Sequence, residues 1–230
     1  MQATLRNGRQ VLAHLADPGR LRELLLPGAA LRLRPVPQSA TRRTRYSVVL
    51  VRSPKTPRVW VSLDTLLANR LAEDLLNEGR VRGIGRGWTL RREVQRGNSR
   101  FDFLLQRRNG DEMLVEVKSV TLVQQGLALF PDAPTVRGTR HVTELAQAVR
   151  GGTRAAVLFV VQRDDAFAVA AHAGIDPEFA RALQSAAAAG VLVRAARYRL
   201  LSSGKAVWSG SLPVRIRRAS ADPGSAAPPE

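Results

Sequence analysis

"MLVEVKSVTL", residues 113–122, reads as a β-strand with two charges in its middle. Met113, Leu114, Val115, Val117, Val120 and Leu122 are apolar, and Val and Thr favour extended backbone. Side chains alternate along a strand, so Leu114, Glu116, Lys118 and Val120 share one face. A carboxylate and an ammonium therefore sit on a face that is otherwise apolar. The preceding segment, "SRFDFLLQRR" (99–108), pairs with "TLRREVQR" (89–96) across Gly97-Asn98 as a β-hairpin. Asp102 lies between Phe101 and Phe103 and, by alternation, faces away from both. If the strands are neighbours, Asp102 and Glu116 converge with Lys118 beside them.

Two carboxylates in one place suit a divalent cation, Mg2+ or Mn2+, through hard oxygen ligands with water completing the shell. Such a site activates water and shields a phosphate, and a lysine beside it steadies the developing charge. Glu93 on the preceding strand, or Glu73 and Asp74 on the first helix, would be a third carboxylate. The plainer alternative is a cross-strand ion pair on a half-exposed sheet.

Outward from this strand, the pattern is α/β with a mixed sheet. Asp64 precedes "TLLANRLAEDLLNEG", in which Leu67, Leu71 and Leu75 mark one helix face, with Asp64 expected as N-cap and Gly79 as the stop. "RVRGIGRGW" (80–88) is a Gly/Arg loop. It does not fit the dinucleotide fingerprint, because no strand leads into it and position 88 is Trp. "FPDAPTVRGTRHVTEL" starts a helix after Pro131 or Pro134, with Arg137, His141 and Glu144 on one face. That face is expected to grip phosphate; an ordinary solvated helix face is the alternative. "RAAVLFVVQR" is a buried strand, Pro177 opens a helix that ends at Gly190, and "VLVRAARYRLL" is a last strand. The order α-β-β-β-α-β-α-β follows.

Residues 1–61 differ. Short extended runs separated by Pro- and Gly-containing breakers suggest a small OB-like β-barrel. The expected domains are 1–61, 62–218 and a disordered Pro- and Ala-rich tail at 219–230.

Charge narrows the partner. The 230 residues carry 36 Lys plus Arg against 19 Asp plus Glu, a formal +17. Residues 1–63 hold 12 of the basic and 2 of the acidic side chains. A surface this basic attracts polyanions, DNA foremost. Arg42, Arg43 and Arg45 in "RLRPVPQSATRRTRYS", with Arg137 and His141, are the candidate nucleic-acid contacts. Only Lys55, Lys118 and Lys205 are lysines, so Lys118 stands out in an arginine-using chain; a compact ammonium differs chemically from a planar guanidinium. No cysteine is present, which excludes disulfides and thiolate metal sites. The longest apolar run, "AAVLFVV" (155–161), is too short to span a bilayer, and no basic amphipathic helix suggests membrane binding. A cytoplasmic protein of undetermined oligomeric state is expected.

The segments "AHLADPGRL", "SLDTLLANRL", "SRFDFLL", "VEVKSVTL" and "FPDAPTVRGTRHVTEL", in this order, resemble the sugar fermentation stimulation protein A family. The resemblance implies an OB-like N-terminal domain and a PD-(D/E)XK nuclease-like domain. It further implies non-specific DNA binding and a regulatory role in sugar (maltose) metabolism. By motif, Asp102, Glu116 and Lys118 match the nuclease core, Glu93 a nearby acid, and Arg137 and His141 the "RG..H" segment. Two functions follow: a metal-dependent DNA endonuclease, or a regulatory DNA-binding protein whose nuclease fold is a non-catalytic scaffold.

Overall fold

The computed structural model describes residues 1–16, 21, 23–37 and 43–216. The N-terminal strands are β1 (Gln2–Thr4), β2 (Gln10–His14), β3 (Leu31–Pro35), β4 (Tyr46–Arg52) and β5 (Trp60–Ser62). They form one sheet in the order β1-β2-β4-β3, with β5 also on β4. One edge of β4 pairs with β2 at Tyr46 and Ser47, then with β5 from Leu50 to Arg52. A strand that changes neighbour along its length curls a short sheet into a barrel-like unit. Ala13, Leu24, Val48, Val51, Val61 and Leu63 fill it. Residues 17–20 of the "AHLADPGRL" segment, Arg42 and the tail at 219–230 lie outside the described residues.

Helix α1 (Leu67–Asn77) follows. It starts later than Asp64 suggested. Leu66 is the N-cap and makes no side-chain cap, while Asp64 accepts the Leu66 amide at 3.1 Å and closes the turn before the helix. Gly79 does end it, at φ +65°, where a Cβ would press on Arg86.

The remaining elements are β6 (Thr89–Arg96), β7 (Ser99–Gln106), β8 (Glu112–Val120), β9 (Leu122–Gln124), β10 (Leu127–Phe130), α2 (Val136–Arg150), β11 (Arg154–Val161), β12 (Ala168–Ala171), α3 (Pro177–Ala188), β13 (Leu192–Leu200), β14 (Ala206–Leu212) and β15 (Val214–Arg215). The main sheet runs β14-β13-β11-β8-β7-β6. Its β8, β11 and β13 are parallel and its outer pairs antiparallel, so it is mixed, as expected. α2 and α3 cover one face over Leu114, Val157 and Phe159; α1 covers the other over Val115, Val117 and Leu158.

A second sheet, β15-β12-β10-β9, was not foreseen. Its strands have two to four residues, too short to display a period. The hairpin also breaks its alternation. Phe101 joins the core under α2, whereas Phe103 joins the core under α1. The two rings therefore do not share the face opposite Asp102. The β7–β8 pairing stops at Phe103–Val115, one residue before Asp102.

Candidate active site

The break at Asp102 builds the site. The Val117 amide points toward β7 but finds no strand carbonyl there; it donates instead to Asp102 Oδ2 at 2.7 Å. A carboxylate thus replaces a ladder partner and frees the backbone to turn. Its other oxygen, Oδ1, accepts from Asn69 Nδ2 on α1 at 2.8 Å. Burial, and next the charge of Glu116, push the Asp102 carboxyl up to about 6.

Glu116 projects from β8 toward α2 and is 4% exposed. Its Oε1 accepts from Lys118 Nζ at 2.8 Å and from His141 Nδ1 at 2.6 Å. Arg137 Nε donates to His141 Nε2 at 3.4 Å, which makes Nδ1 the protonated nitrogen. Burial raises the Glu116 carboxyl, but the His141 hydrogen bond and the Lys118 ammonium outweigh it and hold the group below the ordinary carboxylate range. Glu116 Oε2 is buried without a hydrogen-bond partner among the described residues. Lys118 is likewise buried, its Nζ 5.8 Å from the Phe130 ring centroid.

The structure therefore brings Asp102, Glu116, Lys118 and His141 together. It does not bring Glu93, whose side chain is exposed and paired with Arg100 at 2.9 Å. Glu93 sits at φ +54° and drops out of the β6–β7 register, so alternation misplaces it. Glu73 pairs with Arg92 at 3.2 Å, and Asp74 is exposed. Among the described residues no group of three His, Asp or Glu is arranged to hold a metal. Among the described residues, Asp102 and Glu116 are the two carboxylates at this place, with Glu116 Oε2 still unused.

His141 is a correction of another kind. At 2% exposure, with one ring nitrogen on Glu116 and the other on Arg137, it has no nitrogen left for a phosphate; it holds Glu116. Arg137 is exposed on the first turn of α2, and Arg43 and Arg45 are exposed before β4. Asn69 was missed. Its signal is a short amide within a leucine-rich helix, where such residues are disfavoured unless they bond something.

Comparisons with known proteins agree with this architecture. The family model described as the Sugar fermentation stimulation protein RE domain matches residues 66–204, and that of the SfsA N-terminal OB domain matches residues 1–63. A sugar fermentation stimulation protein homolog of Moorella thermoacetica is 49% identical over 193 residues, covering 84% of this chain and 82% of the relative. One from Symbiobacterium thermophilum is 42% identical over 227 residues, covering 93% and 89%. The solved structure of Pyrococcus furiosus SfsA in complex with Ca2+ aligns with TM-score 0.82 at 30% identity, covering 91% of this chain and 88% of that one.

Proposed function

Since the chain belongs to the sugar fermentation stimulation protein family, with an OB domain followed by an α/β domain on a mixed sheet, we propose that it binds DNA non-specifically and carries a divalent-cation-dependent nuclease-type site. The observation that carries the reading is the buried, unpartnered Glu116 Oε2 beside Asp102. Leaving a buried carboxylate oxygen without a donor costs about 1–3 kcal/mol or more, which a cation would offset. A relative solved with Ca2+ and a match to an RE domain support it, as does the formal charge of +17. The C-terminal domain would then be a PD-(D/E)XK nuclease fold.

Asp102 and Glu116 would hold the ion, since each oxygen that accepts one hydrogen bond keeps a second lone pair. When bound, Mg2+ or Mn2+ supplies a Lewis acid that lowers the pKa of water and neutralises phosphate charge. The residues do the rest. Asn69 and the Val117 amide fix Asp102. His141 fixes Glu116 through one oxygen and leaves the other for the ion. Lys118, a three-donor ammonium, keeps two protons beyond its Glu116 bond and can donate to a non-bridging phosphate oxygen. Arg137 extends a positive charge from the helix start toward the DNA backbone.

The second reading is a regulatory DNA-binding protein with no cleavage. It is favoured by the closed Lys118–Glu116–His141 network and by the lack, among the described residues, of a third acidic ligand. Titration calorimetry with Mg2+ and Mn2+, run beside cleavage of supercoiled plasmid in the same ions or EDTA, decides between them. Cleavage and cation binding in wild type, both lost in Glu116→Gln, are expected. Cation binding without cleavage selects the regulatory reading. Equal heats in both proteins overturn the cation site.

A further inference from the structure

The Gly/Arg loop at 80–88 has no part in the carboxylate site, yet it organises an arginine row. Arg107 donates to the Arg86 carbonyl at 3.2 Å, Arg154 to the Gly83 carbonyl at 3.1 Å, and Arg194 to the Arg82 carbonyl at 2.8 Å. Arg107 and Arg154 also lie over the Trp88 ring, at 4.1 and 5.3 Å from its centroid. These three arginines lie just past the end of β7, at the start of β11 and near the start of β13. Those strands lie within four neighbours of the sheet, β7-β8-β11-β13, so the row spans three strand spacings, about 14 Å. Arg82 and Arg108 stand exposed beside it. The loop from 79 to 88 contains no acidic residue.

The row sits at the end of the sheet away from the barrel. Arg154 opens β11, whereas the barrel's Thr56 bonds Asp165, just beyond the end of β11, at 3.3 Å. Phe159, the neighbour of Lys118, lies five positions along β11 from Arg154, about 16 Å along the strand. Each ordered guanidinium in the row spends one N–H on a loop carbonyl and has others left. Glycine-rich backbone at positive φ (Gly83, Gly85 and Gly87) gives the loop a tight path that the arginines then fasten. The result is a charged ridge held in place.

We propose that this ridge, the 80–88 loop with Arg107, Arg108, Arg154 and Arg194, is a second phosphate-backbone contact surface for duplex DNA, separate from the barrel and from the carboxylate site. It rests on the DNA-binding reading above and assigns where part of that binding occurs. Backbone contacts position nucleic acid without reading its sequence. A ridge of this kind lengthens the footprint along the duplex.

The test is fluorescence anisotropy of a short random-sequence fluorescein-labelled duplex against the full chain across a salt series. Arg82→Gln with Arg108→Gln removes two exposed charges and leaves the loop's fastening intact. It should flatten the slope of log K against log salt by about 1.8, at about 0.9 per phosphate contact, with an unchanged melting temperature. Arg181→Gln, exposed on α3 away from the 80–88 loop, removes a charge elsewhere and should leave the slope nearly as it was. If wild type binds but the Arg82/Arg108 double variant loses no slope, or Arg181→Gln loses half as much as it or more, the ridge is not a contact surface. If wild type itself does not bind the duplex at low salt, the DNA-binding reading falls, and the ridge with it.

Discussion

Glu116 and Lys118 look like a surface ion pair in one dimension and are a buried one in three. What the strand pattern could reveal was their shared face. It could not reveal that Asp102 ends the β7–β8 ladder, because that depends on a carboxylate taking an amide that a strand would otherwise take. Glu93, at positive φ and paired with Arg100, leaves the alternation of β6 and stands apart from this pair. The Asp102 carboxyl, raised by burial and by Glu116, makes a prediction about pH. Its folded value of about 6 exceeds the unfolded one of about 3.9, so the native state holds its proton longer. Stability is then lost as pH rises between those values and stays lost above them. Asp102→Asn removes this loss, and its amide can still accept from Val117. Without added cation, the variant should gain on wild type by up to about 3 kcal/mol between pH 4 and 7 in denaturant melts. A stability difference that is flat with pH contradicts the assignment.

His141 carries a second prediction at this scale. Its ring fills space beside Phe101, 5.6 Å between centroids, and its Nδ1–H partners Glu116. His141→Ala leaves a cavity and an under-bonded buried carboxylate, a loss of about 3–5 kcal/mol. His141→Gln can return a donor and should recover part of it. Equal destabilisation by both would mean that packing alone matters there.

Among the elements, α2 and α3 were legible from apolar spacing and from Pro177, but the device that joins them was not. Asp176 is buried and caps α3 by accepting the Phe179 amide through Oδ1 at 2.8 Å. Its Oδ2 accepts the amide of Thr135, the N-cap of α2, at 2.7 Å. Thr135 in turn accepts Gly138's amide at 3.0 Å, and a Cβ on Gly138 would lie 2.7 Å from Thr135 Cγ2. One carboxylate thus sets two helix starts, including the turn that carries Arg137 and, one turn on, His141. Asp176→Ala should cost about 2–4 kcal/mol, more than a single cap, because two buried amides lose their acceptor. The change should also weaken cation binding through His141 and Glu116. A loss near that of an ordinary exposed cap would show that the two helix starts are independent. The small β9–β10–β12–β15 sheet escaped the sequence for lack of length, not of apolar content, since Ala128 and Val169 are fully buried in it.

In the whole molecule, the barrel and the α/β domain meet where Leu50 and Trp60 pack on Leu200 and where Thr56 bonds Asp165. The two-domain division was readable from the shift between short breaker-bounded strands and helix-strand alternation; the contact between them was not, because it joins residues more than a hundred positions apart. That contact decides how far stabilisation by a cation at the proposed Asp102–Glu116 site would spread. A ligand that binds only the native state stabilises it by about 2.7 kcal/mol at a hundred times its dissociation constant. For a cooperative unit of 150–250 residues this is a rise of roughly 5–11 °C. Differential scanning calorimetry of the full chain with Mn2+ or Ca2+ should show that rise in wild type and not in Glu116→Gln. If the seam couples the domains, a single transition moves. If it does not, two transitions appear and only that of the α/β domain moves, with the barrel's transition fixed. Leu200→Ala should then loosen a single wild-type transition into two, because it empties the apolar contact at the seam. A cation-induced rise of the same size in Glu116→Gln would place the ion elsewhere and remove the premise on which the site is built.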